Sequence, residues 1–271
     1  MTEKISLAGD LGSGKSTVSK ILIEALGFEY YSTGSIVRSI AEEMNMSVVE
    51  LNRYMETHPE IDRKIDDGLR ALSDLERPLI IDSRMAWHFT HGTFRVYLSC
   101  DIETSALRIM GANRVGEHSA SLEETVSQTR ARRQSEQKRY MTQYGVDIKD
   151  LSNYDLVVDT SAATPEEIAS VIINAYRGGE RGVTRAYLSP ERINMPDDAP
   201  DELLVGEYSS ALEAGESVPA VTVAEDGGDF YLIGGAEAAL AHTLNMSSFV
   251  PCILVSGDAP ASTFVKMKNS L

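Results

Sequence analysis

The chain has little cysteine: two residues in 271, Cys100 and Cys252, far apart and without a neighbouring Cys or His at metal-ligand spacing. This excludes a disulfide framework and a zinc knuckle, and both thiols read as reduced and packed. Long apolar runs are absent too. No stretch reaches the ~18 residues that a membrane span needs, and Met1–Lys4, followed by a short apolar strand candidate, lacks the apolar core of a secretion signal. The expected location is the cytoplasm, with no membrane partner. Basic side chains are scarce, 25 against 41 acidic, for a net charge of −16 and a pI near 4.7. Such a surface repels polyanions, so no nucleic-acid partner is expected. What remains is ordinary globular material, 42% hydrophobic and 24% charged with 20 Gly and 9 Pro, long enough for one large domain or two smaller ones.

Charge and proline divide it. From residue 187 onward there are 13 acidic and 3 basic side chains and six of the nine prolines, while residues 1–186 hold 28 acidic and 22 basic. Just before the change lies a polar, Gly-rich stretch without apolar period. The expected organisation is a domain over 1–176, a linker over 177–186 and an acidic accessory domain over 187–271.

The first part alternates short continuous apolar runs with longer amphipathic stretches. Strands are predicted at Ile5–Ala8, Glu29–Tyr31, Leu79–Ile81, Arg95–Leu98 and Leu156–Val158, a βαβ rhythm that implies a five-stranded parallel sheet with helices on both faces. Helix starts are marked at Ser47 and Ser121 by a Glu three residues later, and at Thr164 by Pro165 with Glu167.

The first strand runs into GDLGSGKST (9–17), a complete Gly-x-x-x-x-Gly-Lys-Ser followed by an amphipathic helix. Gly9, Gly12 and Gly14 let the backbone turn its N–H groups inward, and with the helix N-terminus these receive a nucleotide phosphate; Lys15 neutralises β/γ oxygens and Ser16 ligates Mg²⁺. A second anion site is suggested by YSTGSIVR (31–38), where small hydroxyls and Gly34 open a helix with Arg38 one turn in. The third strand ends in Asp82-Ser83-Arg84: an acid placed to hold Mg²⁺ or orient the acceptor, and an arginine entering the same crevice. Trp87, His88 and His91 read as an aromatic wall. Basic residues then concentrate at Arg108, Arg114, Arg130, Arg132, Arg133, Lys138 and Arg139. Arg132 and Arg139, two turns apart on nearly one face, are expected to reach the same polyphosphate.

Together GDLGSGKST, YSTGSIVR, IIDSR (80–84) and RRQSEQKRYMTQYGVDIKDLSNYDLVVDTS (132–161) resemble the cytidylate kinase-like branch of the P-loop nucleoside-monophosphate kinases, over residues 1 to about 176. The resemblance implies Gly12, Ser13, Gly14, Lys15, Ser16 and Thr17 on the ATP phosphates. It implies Ser32, Gly34, Arg38 and Arg84 on the acceptor monophosphate, CMP or dCMP, and Arg132 and Arg139 as lid and transition-state charges. The chain departs from the family pattern at Ser83 and Ser35, which bears on base identity. Asp10, an acid beside the expected polyphosphate, bears on nucleotide affinity.

The tail resembles, more weakly, the ParB/sulfiredoxin-like fold, through Tyr187–Pro196, Phe230–His242 and Val250–Val255. Its Gly234-Gly235-Ala236-Glu237 lacks the cation that nucleotide-using members place there, so a small α+β module binding some ligand or protein, without catalysis, is expected. For the whole chain one reading is an ATP- and Mg²⁺-dependent kinase of a nucleoside monophosphate or another small acceptor. The other is a nucleotide-binding regulatory protein without turnover. The second-anion residues Arg38, Asp82, Arg84, Arg132 and Arg139 favour the first.

Overall fold

The computed structural model describes residues 3–112, 121–179, 181–197, 200–255 and 264–267, and contacts divide the chain into two compact units, Met1–Tyr154 and Asp155–Leu271. Arg114 lies outside the described residues. In chain order the first unit contains β1 (Lys4–Gly9), α1 (Lys15–Leu26), β2 (Glu29–Ser32), α2 (Thr33–Glu43), α3 (Val48–Met55), α4 (Pro59–Ala71), β3 (Leu79–Asp82), α5 (Ala86–Phe89), β4 (Phe94–Ser99), α6 (Ile102–Gly111) and α7 (Leu122–Tyr144). The second contains β5 (Leu156–Asp159), α8 (Pro165–Gly178), β6 (Arg185–Leu188), β7 (Ile193–Pro196), α9 (Glu202–Glu213), β8 (Val221–Asp226), β9 (Asp229–Gly234), α10 (Ala236–Leu244), β10 (Val250–Val255) and β11 (Phe264–Lys266).

The first unit is built on parallel strands in the order β4-β1-β3-β2. The continuous apolar runs of β1, β3 and β4 follow from burial on both faces: every residue of β1 is buried, and Leu79, Ile80, Ile81, Val96 and Leu98 are at most 2% exposed, whereas β2, last in the order given, leaves Glu29 and Tyr30 exposed. Register sets the site. Leu7 pairs with Asp82, Ser32 with Asp82 and Gly9 with Leu98, so the ends of β1, β2, β3 and β4 meet along one carboxyl edge. A second apolar cluster, Ala41, Leu51, Met55 and Ile65, binds α2, α3 and α4 into a helical layer. The predicted starts form as caps: Ser47 and Thr164 make reciprocal capping boxes, and Ser121 accepts from the Glu124 N–H.

The second unit orders its strands β11-β7-β9-β8-β10-β6-β5, mixing parallel and antiparallel pairs. Here β5 pairs in parallel with β6, Val157 opposite Ala186. The contact boundary therefore precedes β5, whereas the expected linker begins at 177, within the last turn of α8; backbone pairing between β5 and β6 joins segments that composition separates. The polar stretch itself contains the end of α8, capped by Gly179 in the left-handed region, and the start of β6. Asp159, fully buried, takes Arg192 Nη1 at 3.2 Å, the Ser161 hydroxyl at 2.6 Å and the Ser189 N–H at 3.2 Å. Among the described residues no helix is long and apolar enough to cross a membrane.

Candidate active site

Two glycines shape the loop between β1 and α1. At Gly9 (φ +148°) an added Cβ would lie 2.4 Å from the Leu98 carbonyl oxygen, and at Gly12 (φ +73°) 2.5 Å from that of Ser105. Neither position admits a side chain, because the loop rests directly on the backbone of β4 and α6. Gly14, left-handed at φ +79°, caps α1, and its carbonyl accepts the Thr17 and Val18 N–H groups at 2.9 and 3.0 Å. Ser16 and Thr17 are exposed on the first helical turn, while Ser13 is buried.

Lys15 folds back into the loop, donating to the Gly9 and Asp10 carbonyls at 3.0 and 2.9 Å and to Ser13 Oγ at 3.5 Å. Burial pulls its ammonium down to about 8 and the nearby Arg84 adds to the fall, while the carboxylates of Asp82, Asp10 and Glu136 oppose it. Those groups therefore share one electrostatic neighbourhood around the loop. Arg84 spans it, donating from Nη1 to the Gly9 carbonyl at 2.8 Å and pairing through Nε with Glu136 Oε2 at 2.6 Å. Burial disfavours the Arg84 guanidinium, but Glu136 together with Tyr140, Tyr97 and Asp82 more than offsets this and holds it above its usual range. Burial likewise disfavours the Glu136 carboxylate, yet Arg84, Arg132 and Arg139 hold it below its usual range. Arg132 reaches Glu136 Oε1 at 3.3 Å.

The other expected groups have their own settings. Asp82 Oδ2 accepts the Tyr30 hydroxyl at 3.0 Å, and its carbonyl accepts from Thr33 at 3.4 Å. Ser32 caps α2 by accepting the Ser35 N–H at 3.4 Å; Arg38 is exposed and meets Ser35 Oγ at 3.5 Å; an added Cβ at Gly34 would lie 3.5 Å from Arg38 Nη1. Arg139 acts on Glu136 through its charge, but its bonded partners differ from those of Arg132. It is buried, pairing with Asp62 at 3.6 Å and donating to Asn52 and to the Tyr140 hydroxyl at 3.3 Å each. Trp87 packs against Tyr154 and donates to the Arg84 carbonyl at 2.9 Å, so the aromatic wall supports the backbone at Arg84.

Sequence reasoning missed three features. Asp10 is buried, its carboxylate held by Tyr97, the Cys100 N–H and Lys149. Glu136 is the anion on which Arg84 and Arg132 meet. Asp62 and Asp66, one turn apart on α4, face α7: Gln143 donates to Asp62 at 3.2 Å and the Tyr144 hydroxyl to Asp66. Burial pushes Asp66 up to about 6 and also raises Asp62. The spacing of Asp62 and Asp66 marks one helix face, but nothing local says which element that face meets.

The sequence matches the model of the cytidylate kinase-like family over residues 4–162. It is 38% identical over 175 residues to a cytidylate kinase of Thermoplasma volcanium, covering 63% of this chain and 90% of that one. It is also 38% identical over 181 residues to an S-adenosylmethionine-dependent nucleotide dehydratase of Lacinutrix mariniflava, covering 65% of this chain but 36% of that longer protein. A solved sulfiredoxin of Arabidopsis thaliana aligns with 27% of this chain and 85% of its own at 21% identity and a TM-score of 0.25, too slight a likeness to assign the tail. With more than half its length matched by the family model and its loop, Arg84 and strand-end acid gathered at one sheet edge, the chain belongs to the cytidylate kinase-like family, as a nucleoside-monophosphate kinase.

Proposed function

We propose that the protein moves the γ-phosphoryl of ATP to CMP or dCMP, giving the diphosphate and ADP. The observation that supports this most is Arg84, a partly buried cation bound at one end to the phosphate loop through Gly9 and at the other to Glu136 and thereby Arg132. A protein that only senses ATP has no need of such a second-anion group beside its loop.

ATP phosphates meet the loop N–H groups and the N-terminus of α1, and Lys15 exchanges its carbonyl partners for phosphate oxygens. Ser16 and Asp82 suit Mg²⁺: both are hard oxygen donors, and Asp82 has an oxygen beyond the one bonded to Tyr30. Among the described residues there is no group of three or more acids, His or Cys that would cage a metal. This fits a cation that completes its shell with phosphate and water, and when bound it neutralises charge between the β- and γ-phosphates. Ser32, Gly34, Arg38 and Arg84 receive the acceptor phosphate, with Arg84 already held in place. Arg132 and Arg139 supply transition-state charge, Arg139 by exchanging Asp62 for phosphate.

An acceptor panel with ATP and Mg²⁺, read as ADP release, tests this. CMP and dCMP are expected to give the highest kcat/KM. ADP release above background only with another acceptor replaces the substrate assignment, and nucleotide binding without acceptor-stimulated release establishes the regulatory reading.

A further inference from the structure

Asp10 is a charged loop residue whose side chain the proposed chemistry does not use, and an acid there opposes polyphosphate by simple Coulomb repulsion. The structure gives it a different occupation. Its carboxylate is 6% exposed and turned behind the loop, where Oδ1 accepts the Tyr97 hydroxyl at 2.9 Å and Oδ2 the Cys100 N–H at 3.0 Å. Lys149, from the segment following α7, bonds Oδ1 as well as the Tyr97 hydroxyl, and Arg133 of α7 stands 3.7 Å away. The same residue's backbone is tied down too: its N–H donates to the Leu98 carbonyl at 2.9 Å, and its carbonyl takes both the Lys15 ammonium at 2.9 Å and the Ser13 N–H at 3.3 Å. A cavity of about 20 Å³ is lined by Asp10 with Arg84, Arg133, Glu136, Lys149, Tyr97 and neighbouring backbone.

We propose that Asp10 is a positioning residue, a buried anion that clamps the back of the phosphate loop to β4, α7 and the Lys149 segment, and so aims the loop N–H groups and Lys15 at the nucleotide. The proposal rests on the kinase reading, in which the loop holds ATP. Its physical basis is asymmetry of burial. Three donors and the nearby Arg133 guanidinium converge on one carboxylate, so it holds the loop in one conformation before ligand arrives, and removing one partner strands the others in a poorly solvated place. Long-range repulsion and positioning therefore predict opposite signs for the loss of the charge.

The test uses the full chain and two independent variants, Asp10→Asn and Lys149→Met, with their double variant. ATP and ADP binding are measured calorimetrically without acceptor, alongside KM for ATP and for CMP, and the thermal midpoint of each protein. Asp10→Asn is expected to weaken ATP binding about tenfold, although it removes a negative charge, and to leave KM for CMP within twofold. Lys149→Met is expected to weaken ATP binding as well, and the double variant to lose less than the product of the single losses, since it leaves neither charge alone. Tighter or unchanged ATP binding in Asp10→Asn overturns the proposal, as do losses that simply multiply or that raise both KM values equally. Binding of ATP to the wild-type chain with no CMP turnover counts against the kinase reading alone and leaves the Asp10 test standing.

Discussion

The molecule contains two glycine turns that each open a helix, and they do different things. In the first unit Gly9–Gly14 leads into α1, and Lys15, Ser16 and Thr17 occupy its first positions, with Arg84 bonded to the carbonyl of Gly9. In the second, Gly234-Gly235 leads into α10, whose first residues are Ala236 and Glu237. Gly235 is left-handed at φ +83°, and an added Cβ would lie 3.1 Å from the Ala220 carbonyl oxygen, so close backbone packing accounts for the glycine without a ligand. Backbone geometry makes a pocket of N–H groups; the cations around it make an anion site. The described cations of the second unit are few, and Arg192, one of them, is committed to Asp159, Ser161 and the Gly228 carbonyl.

The sharpest break of this contrast is Lys15→Ala, expected to lower kcat by about a thousandfold while circular dichroism and the thermal midpoint stay near wild type, because the lost cation acts as charge moves to the leaving oxygen. Paired glycine substitutions come next. Gly12→Ala drives a Cβ into the Ser105 carbonyl and is expected to cut kcat/KM for ATP by about a hundredfold, whereas Gly235→Ala should lower the thermal midpoint and leave turnover within about twofold. A comparable loss of turnover in both would show that the second turn also serves catalysis.

Within the first unit, Arg84→Ala and Arg38→Ala should each raise KM for CMP more than KM for ATP, by roughly 10- to 100-fold for a lost charge-assisted bond. Arg84→Ala is expected to be the larger, since it also leaves Glu136 buried with one arginine fewer. Equal rises for both substrates would move the acceptor site elsewhere. A chain shortened to residues 1–177 asks how far the catalytic unit stands alone: β5 then has no β6 to pair with, so its midpoint should fall by several degrees while activity at 25 °C stays within about tenfold. Complete loss of activity in a folded, soluble product would mean that residues 178–271 contribute to catalysis.

The smallest effect concerns Asp66. Its folded-state pKa, about 6, exceeds the ordinary 3.8 because of burial. The native state therefore binds more protons than the unfolded state between those values, and the group's contribution to stability falls as pH rises through that window and stays lost above it. Asp66→Asn, which can still accept from Tyr144, should raise the midpoint at pH 8 by about 2–4 °C and leave it nearly unchanged at pH 4. A gain of the same size at both pH values would remove burial of the charge as the cause.

Local chemistry determined a good part of this protein. The strands that became β1, β3, β4 and β5 were readable as apolar runs because burial on both faces leaves no alternation, whereas β2 leaves Glu29 and Tyr30 exposed; the helix starts were readable because caps involve residues three apart. The loop was readable because its glycines, Lys15 and Ser16 are contiguous, and the family likeness followed from such contiguous motifs. The tertiary structure decided what depends on distant partners. It turned Asp10 inward, since its partners Tyr97, Arg133 and Lys149 come from three other segments. It gave Arg84 and Arg132 a common anion in Glu136 while sending Arg139 to Asp62, although helical spacing alone put Arg132 and Arg139 on one face. It also joined β5 to β6 by backbone hydrogen bonds, which carry no composition and so left no mark at the boundary that charge and proline suggested.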